Sequence, residues 1–376
     1  MTLRSHAAET EIRATPLHTR LAAANRANQW CEWNGFTYPM RTMGLAAELH
    51  AARDTAALAD VSPRARYRVT GKDAATYLAR LLTRDAAAMP LGAVAETLWC
   101  ADNGLVRGLG TVARVGEREF LLVGETPDGP WLDAGAFGFG VEIEDATLVT
   151  AALTLIGPQA AGALEFAGLE AAAAVNPGAT ASLTGRGIAM TVLRAASGDR
   201  FDLLAGNDDA AALWDLLDRA LVGMDGGPIG FEALDVIRIE AGLPAPHRDF
   251  VPAQFAETDA SAVTPFALGL KAWVDLDRGH FNGRRALKAP GALAGRRELK
   301  RLLIDGQGDA AYAPVLLGPR EAGHTVTAHW SPRANATAAL AWLDPGAQGA
   351  KERLSVLQTT RDGMRRADRY VPARVV

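Results

Sequence analysis

The chain has 376 residues, 49% hydrophobic and 22% charged, long enough to bury sizeable cores and too long for one, so two or three globular domains are expected. A formal net charge of -4 gives no overall footprint for nucleic acid, and the basic clusters "GRRELKR" and "RDGMRRADR" are short and mixed with acids, as solvated faces are. No segment approaches the roughly 18 to 20 apolar residues of a membrane span and no apolar leader opens the chain, so the reading is a cytoplasmic protein with no membrane and no nucleic-acid partner.

In chain order, "RYRVTG" alternates as a strand and ends in Gly71, after which "KDAATYLARLL" places Ala74, Tyr77, Leu78, Leu81 and Leu82 on one helix face. "ETLWCA", "GLGTVARV", "REFLLVGE" and "VEIED" follow as short strands parted by Gly, Asp or Asn, the pattern of an antiparallel sheet. "ALTLIGPQAAGALEFAGL" repeats the strand, Gly and helix unit about eighty residues on, which points to two related α+β halves. "AALWDLLDRAL" carries Leu213, Leu216, Leu217 and Ala220 on one face, and "GFEALDVIRIEAGL" is a helix closed by Gly242. "APGALAGRREL" reads as a joint, and six short strands beyond it form a small β-barrel or sandwich. The resulting domains are 1–150, 151–290 and 291–376.

Candidate chemistry is sparse. The seven histidines are scattered, and His324 and His329 lack the spacing of two ligands on one helix face, so no metal site is expected. Cys31 and Cys100 lie far apart and read as reduced, partly buried thiols. "GLG" at 108–110 precedes a strand rather than a helix, and no nucleophile elbow occurs. Three charged places in apolar settings remain: Asp85 in "LLTRDA", Asp202 in "GDRFDLL", and Arg238 with Glu240 in "DVIRIEAGL". Each has a plain alternative: a loop charge, an exposed strand position, and a helix-surface pair of Asp235 with Arg238.

Over nearly its whole length the chain resembles the glycine-cleavage T-protein (aminomethyltransferase) superfamily of tetrahydrofolate-dependent one-carbon transferases. The likeness runs through "WNGFTYPM", "ADVSPRARYRVTGKDAATYLARLLTRDAAAMPLG", "LIGPQA", "LDVIRIEAGLPAPHRDFVP" and "TPFALGLKAWVDLDRGHFNGRRAL". It implies an α+β fold of two related antiparallel-sheet/helix domains around a central folate site, with a C-terminal β-barrel domain. "LLTRDA" and "LWCADNGLVRGLGTVAR" look closer to the branch that includes folate-dependent demethylases.

Carried over by motif, "TRD" puts the family's catalytic aspartate at Asp85, and Phe201-Asp202 matches its pterin-binding "GFE" with Asp for Glu. Arg238 matches the arginine of "LRLEAG", while Trp273 stands next to Ala272, which occupies the place of the "GLGWTV" tryptophan. Trp99 joins these as a cofactor contact, and Trp33 and His50 as substrate-side residues. Two family tyrosines are replaced, one by Ala196 in "AASGD" and one by Glu96 in "ETL", where an acid is placed to assist a leaving group. The resemblance therefore implies tetrahydrofolate as cofactor and a demethylase taking a methyl group from an O-, N- or S-methyl small molecule, acting as a monomer or small homo-oligomer. The alternatives are an aminomethyltransferase of glycine-cleavage type and a remodelled pocket that no longer uses folate.

Overall fold

The computed structural model describes residues 12–258, 262–289, 297–347, 354–362 and 365–376. Its contacts separate two compact units, each discontinuous in sequence: Met1–Ala65 with Ala146–Ala233, and Arg66–Asp145 with Leu234–Val376. The domains expected from the sequence follow chain order, whereas these units interleave it.

The first unit is built on a six-stranded sheet, in the order Thr180–Gly185, Ile188–Arg194, Arg200–Gly206, Thr150–Ile156, Ala57–Asp60 and Gly227–Pro228. All pairs are antiparallel except the last. Alternation along these strands sends Phe201, Leu203, Leu153 and Leu155 into a core shared with helices Ala160–Phe166 and Asn207–Val222. The longer helix opens with Asp208 and Asp209 and carries Arg219 in its last turn, the arrangement its dipole favours. Glu48, fully buried on helix Leu45–Asp54, accepts from the N–H groups of Thr42, Met43, Gly44 and Gly230, pinning two distant stretches of this unit.

The second unit holds a five-stranded sheet, ordered Val94–Cys100, Val106–Gly116, Glu119–Gly124, Ala65–Thr70 and Glu142–Asp145. It also holds a closed six-stranded barrel: Glu298–Asp305, Ala336–Leu343, Arg320–Ser331, Pro314–Leu317, Leu354–Asp362 and Arg365–Val375. Leu98 and Val106 of the sheet share one apolar cluster with Leu299, Val326, Leu340 and Trp342 of the barrel. The fold is thus mixed α and β, with antiparallel sheets and a C-terminal barrel, as expected from the sequence.

The two strand, Gly and helix units match in detail. Gly71 (φ 125°) follows Ala65–Thr70 and leads to helix Ala74–Leu81, while Gly157 (φ 136°) follows Thr150–Ile156 and leads to Ala160–Phe166. A Cβ at either would strike a backbone carbonyl, of Gly140 and of Thr55 respectively, so only glycine fits both corners. Residues 290–296 of the expected joint lie outside the described residues. No disulfide joins Cys31 and Cys100; Cys100 is fully buried, with its thiol pKa pushed up by burial. Among the described residues no helix is long and apolar enough to cross a membrane.

Candidate functional site

In the second unit, helix Ala74–Leu81 gives way to an extended Leu82 and then to the Thr83-Arg84-Asp85 loop. Thr83 is fully buried, its N–H donating to the Leu98 carbonyl at 2.9 Å and its hydroxyl lying 2.8 Å from the Trp273 carbonyl. Arg84 Nε donates to the Glu96 carbonyl (3.0 Å), Asp275 N–H to the Thr83 carbonyl (3.2 Å), and Arg278 to the carbonyls of Ala79 (2.7 Å) and Leu82. These tethers place Asp85, half-buried, at the head of the short 3-10 turn Ala86–Ala88. Its Oδ1 accepts from the N–H groups of Ala87 (3.1 Å) and Ala88 (3.3 Å), while Oδ2 accepts no hydrogen bond among the described residues. Burial draws the Arg278 guanidinium below its usual pKa, and the charges of Asp85 and Asp275 oppose that. Asp85 is therefore a capping loop charge, as the plain reading has it, and also a carboxylate fixed by one oxygen.

Glu96 lies half-buried on Val94–Cys100, paired with Thr111, and its carboxylate makes no hydrogen bond among the described residues. Strand alternation puts it on the same face as Leu98, which packs in one cluster with Trp273. Trp273 itself is half-buried in the turn Lys271–Trp273, so it flanks the loop that its carbonyl tethers. Trp99, three residues from Glu96, takes the opposite face. Its ring is fully buried against Gly108 and Gly124, and its Nε1 donates to Asp128 Oδ2 at 2.9 Å. Arg107 closes that cluster with two bonds to Asp128 of 3.1 and 2.7 Å. The cofactor contact expected of Trp99 does not fit this placement, because the ring has no exposed surface and its one donor is engaged.

Arg238 sits on helix Phe231–Glu240 in a buried ionic network. Its Nε donates to Asp235 Oδ1 (2.6 Å), and its Nη1 to Asp249 Oδ2 (2.5 Å) and the Leu243 carbonyl (3.1 Å). Arg248 makes two further bonds of 2.5 Å to Asp235, and His329 Nε2 lies 3.0 Å from it. Burial alone would raise the Asp235 pKa; the His329 hydrogen bond, then Arg238 and Arg248, outweigh it and bring it down to about 2. The Asp235 and Arg238 pair predicted at i, i+3 exists, but in the interior rather than on a helix surface. Arg238 Nη2 is buried and makes no hydrogen bond among the described residues.

The first unit holds the remaining expected residues. Asp202 lies mid-sheet on Arg200–Gly206, its side chain only 15% exposed, between Leu193 on one neighbour and Thr154 on the other. It occupies the face opposite Phe201, which the helices cover. Asp202 Oδ2 is 3.6 Å from Arg200 Nε, and Asp202 Oδ1 is buried and makes no hydrogen bond among the described residues. Ala196 is exposed in the turn before this strand and supplies no ring. Trp33 packs edge-on against Tyr38 and Phe231, with ring centroids 5.1 and 5.4 Å away, in an aromatic cluster of this unit. His50 is exposed on helix Leu45–Asp54 with its Nδ1 2.7 Å from Asp54 Oδ2, a surface pair rather than part of an enclosed site.

Two cavities, of about 600 and 800 Å³, open in the second unit, and neither is lined by any of the expected residues. Sequence reasoning missed Thr83, Asp275 and Arg278 as the tethers of the Asp85 loop, Asp249 as a partner of Arg238, and Arg248 and His329 as partners of Asp235. The charged run "DLDRG" beside "KAWV" was the available signal for the first group; the second is dispersed along the chain and left none.

The family model described as the GCVT N-terminal domain matches residues 17–278. The aminomethyltransferase of Moorella thermoacetica is 30% identical over 348 residues, covering 89% of this chain and 91% of that protein. That of Thermus thermophilus is 29% identical over 347 residues, covering 90% and 93%. The crystal structure of glycine cleavage system aminomethyltransferase T from Bartonella henselae has the same fold, with a TM-score of 0.82 at 20% identity across 97% of this chain and 96% of that one. By the reach of the family model and by relatives that match along most of its length, the chain belongs to the glycine-cleavage T-protein (aminomethyltransferase) family.

Proposed function

We propose that the protein is a tetrahydrofolate-dependent one-carbon transferase working by aminomethyl transfer, the activity for which its relatives are named. The observation that carries the folate part is the buried Oδ1 of Asp202, which makes no hydrogen bond among the described residues. An unsatisfied buried acceptor costs on the order of 1–3 kcal/mol, so this place suits a ligand that brings its own N–H groups. A pterin brings two side by side, and one carboxylate can accept both. Tetrahydrofolate, when bound, supplies the nitrogens that accept the one-carbon unit. Asp202 then binds and orients it, and alignment of this kind is worth on the order of 7–11 kcal/mol. Asp85 offers Oδ2 to a proton or positive charge on the reacting amine while Oδ1 stays tied to Ala87 and Ala88.

The sequence favoured demethylation of a small-molecule methyl donor; the relatives' names favour the aminomethyl reading instead. Demethylation keeps one specific support, the half-buried Glu96, an acid available to protonate a leaving group. Calorimetry with tetrahydrofolate tests the shared premise. Saturable binding is expected, weakened about 10- to 100-fold in Asp202→Ala. No binding at roughly millimolar ligand sinks both readings. Product analysis then divides them, because 5,10-methylene-tetrahydrofolate marks aminomethyl transfer and 5-methyl-tetrahydrofolate marks demethylation.

A further inference from the structure

Helix Ala74–Leu81 stops without the residues that usually stop one. Neither Gly nor Pro occurs in Leu82-Thr83-Arg84, yet Leu82 turns straight into extended backbone (φ -83°, ψ 155°). The Thr83 N–H, which a continuing helix would send to the Ala79 carbonyl, goes to that of Leu98, and the Ala86 N–H goes to Arg84 rather than to Leu82. The carbonyls left open are satisfied by a segment far along the chain. Arg278, 196 residues beyond Leu82, takes the carbonyls of Ala79 (2.7 Å) and Leu82 with its two Nη groups. The Asn282 N–H takes that of Arg80 (2.9 Å), and the Asp275 N–H that of Thr83 (3.2 Å).

One planar fork thus joins the last turn of the helix to the first extended residue. It is itself held over the fully buried ring of Phe281, 4.5 Å from the centroid. Asp275 and Asn282 contribute backbone N–H groups, so Arg278 is the side chain on which the break depends. A helix advances about 1.5 Å per residue and an extended residue about 3.3 Å, so returning Leu82 alone to the helix would draw Asp85 in by about 2 Å and turn it about the axis. A misplacement of about 1 Å can cost on the order of 10²-fold in rate.

We propose that Arg278 is a positioning residue of the transfer site: by ending the helix at Leu81 it sets where Asp85 stands, and it acts on the reaction through Asp85. This rests on the one-carbon transfer reading above and adds to it the residue that decides the placement of its carboxylate.

Amide hydrogen exchange on the ligand-free full chain gives the first readout, comparing wild type with Arg278→Met and Arg278→Lys. Met removes the fork and the charge, whereas Lys keeps the charge and loses the fork. Both should speed exchange across residues 82–88 by about tenfold or more and leave the barrel strands unchanged. Unchanged exchange across residues 82–88, wild-type behaviour of Arg278→Lys, or faster exchange throughout the barrel overturns the proposal, the last because Arg278 would then merely hold the fold. Transfer kinetics give the second readout. In both variants kcat should fall about 10- to 100-fold, with KM for tetrahydrofolate within about threefold of wild type. In an Asp85→Asn background the same replacements should cost less than about threefold more, since a residue acting through Asp85 has no carboxylate left to position. A full further loss in that background overturns the proposal. Should wild type give no transfer product, the one-carbon reading fails, while exchange still decides whether Arg278 holds the Asp85 turn. Should circular dichroism show Arg278→Met unfolded, Arg278→Lys carries both readouts.

Discussion

Replacing Asp235 by Asn removes the charge at the centre of the buried network while keeping its volume. Asp235 has a side chain 1% exposed and holds Arg238 (2.6 Å), Arg248 (2.5 Å) and His329 (3.0 Å). Removing one member of a buried ionic group costs about 3–5 kcal/mol because its partners are left uncompensated. Arg238 keeps Asp249, so the lower end applies, about 3 kcal/mol. For a chain of 376 residues unfolding cooperatively, that lowers Tm by about 4 °C. The pH dependence supplies a second reading. The folded pKa of Asp235, about 2, lies below the ordinary 3.8, so its contribution is full above the unfolded value and is lost as pH falls through the folded one. The difference amounts to about 2 kcal/mol in total, of which about 1 kcal/mol is gone by pH 3. Calorimetric melts of wild type and Asp235→Asn at pH 7 and pH 3 should show the gap between them narrowing toward acid. A gap below about 1 kcal/mol at pH 7, or one that stays constant with pH, refutes the reasoning.

Asp85→Asn retains a good capping side chain, so stability should stay within about 0.5 kcal/mol while one-carbon transfer falls about 10²- to 10⁴-fold; full transfer activity would reduce Asp85 to a cap. Trp99→Phe deletes the donor to Asp128 and should cost about 1.5–3 kcal/mol in melts, with the tetrahydrofolate Kd unchanged; a Kd shift beyond about threefold would return Trp99 to the cofactor. Gly110→Ala drives a Cβ into the Val123 carbonyl between adjacent strands and should give insoluble protein or lose more than about 3 kcal/mol, so a wild-type Tm would contradict the strand packing.

Gly71 and Gly157 show what local sequence can reveal. Each is a corner between an alternating strand and an amphipathic helix, and the two recur because the same backbone geometry is needed twice. The barrel strands were equally legible, since each carries its own turn-marked pattern. Burial and long-range pairing were not. Asp235 and Arg238 are three apart and visible as a pair, but Asp249, Arg248 and His329 reach them only through the tertiary fold. The same limit hid the interleaved units, because a boundary defined by contacts between residues near 60 and near 150 leaves no mark in composition. Trp99 is a different case. Its separation of three from Glu96 already places the two on opposite faces of any strand, and alternation alone would have divided them.

The two carboxylates singled out by resemblance, Asp85 and Asp202, differ in what the protein does with them. Motif likeness puts Asp85 first, yet half of its carboxylate is explained by the turn it caps. Asp202 enters by a weaker match, with Asp in place of Glu, yet its buried Oδ1 makes no hydrogen bond among the described residues. A folded chain that only needed a filled sheet position would be more stable with Val or Leu there, because burying an unsatisfied polar group costs on the order of 1–3 kcal/mol. In the folate reading proposed above, the pterin brings the N–H groups that would offset this cost at Asp202. The prediction that follows is a reversal of sign: Asp202→Leu should raise Tm in the absence of ligand and abolish the further rise that tetrahydrofolate gives the wild type. A variant that melts lower than wild type without ligand would mean that the carboxylate serves the fold after all.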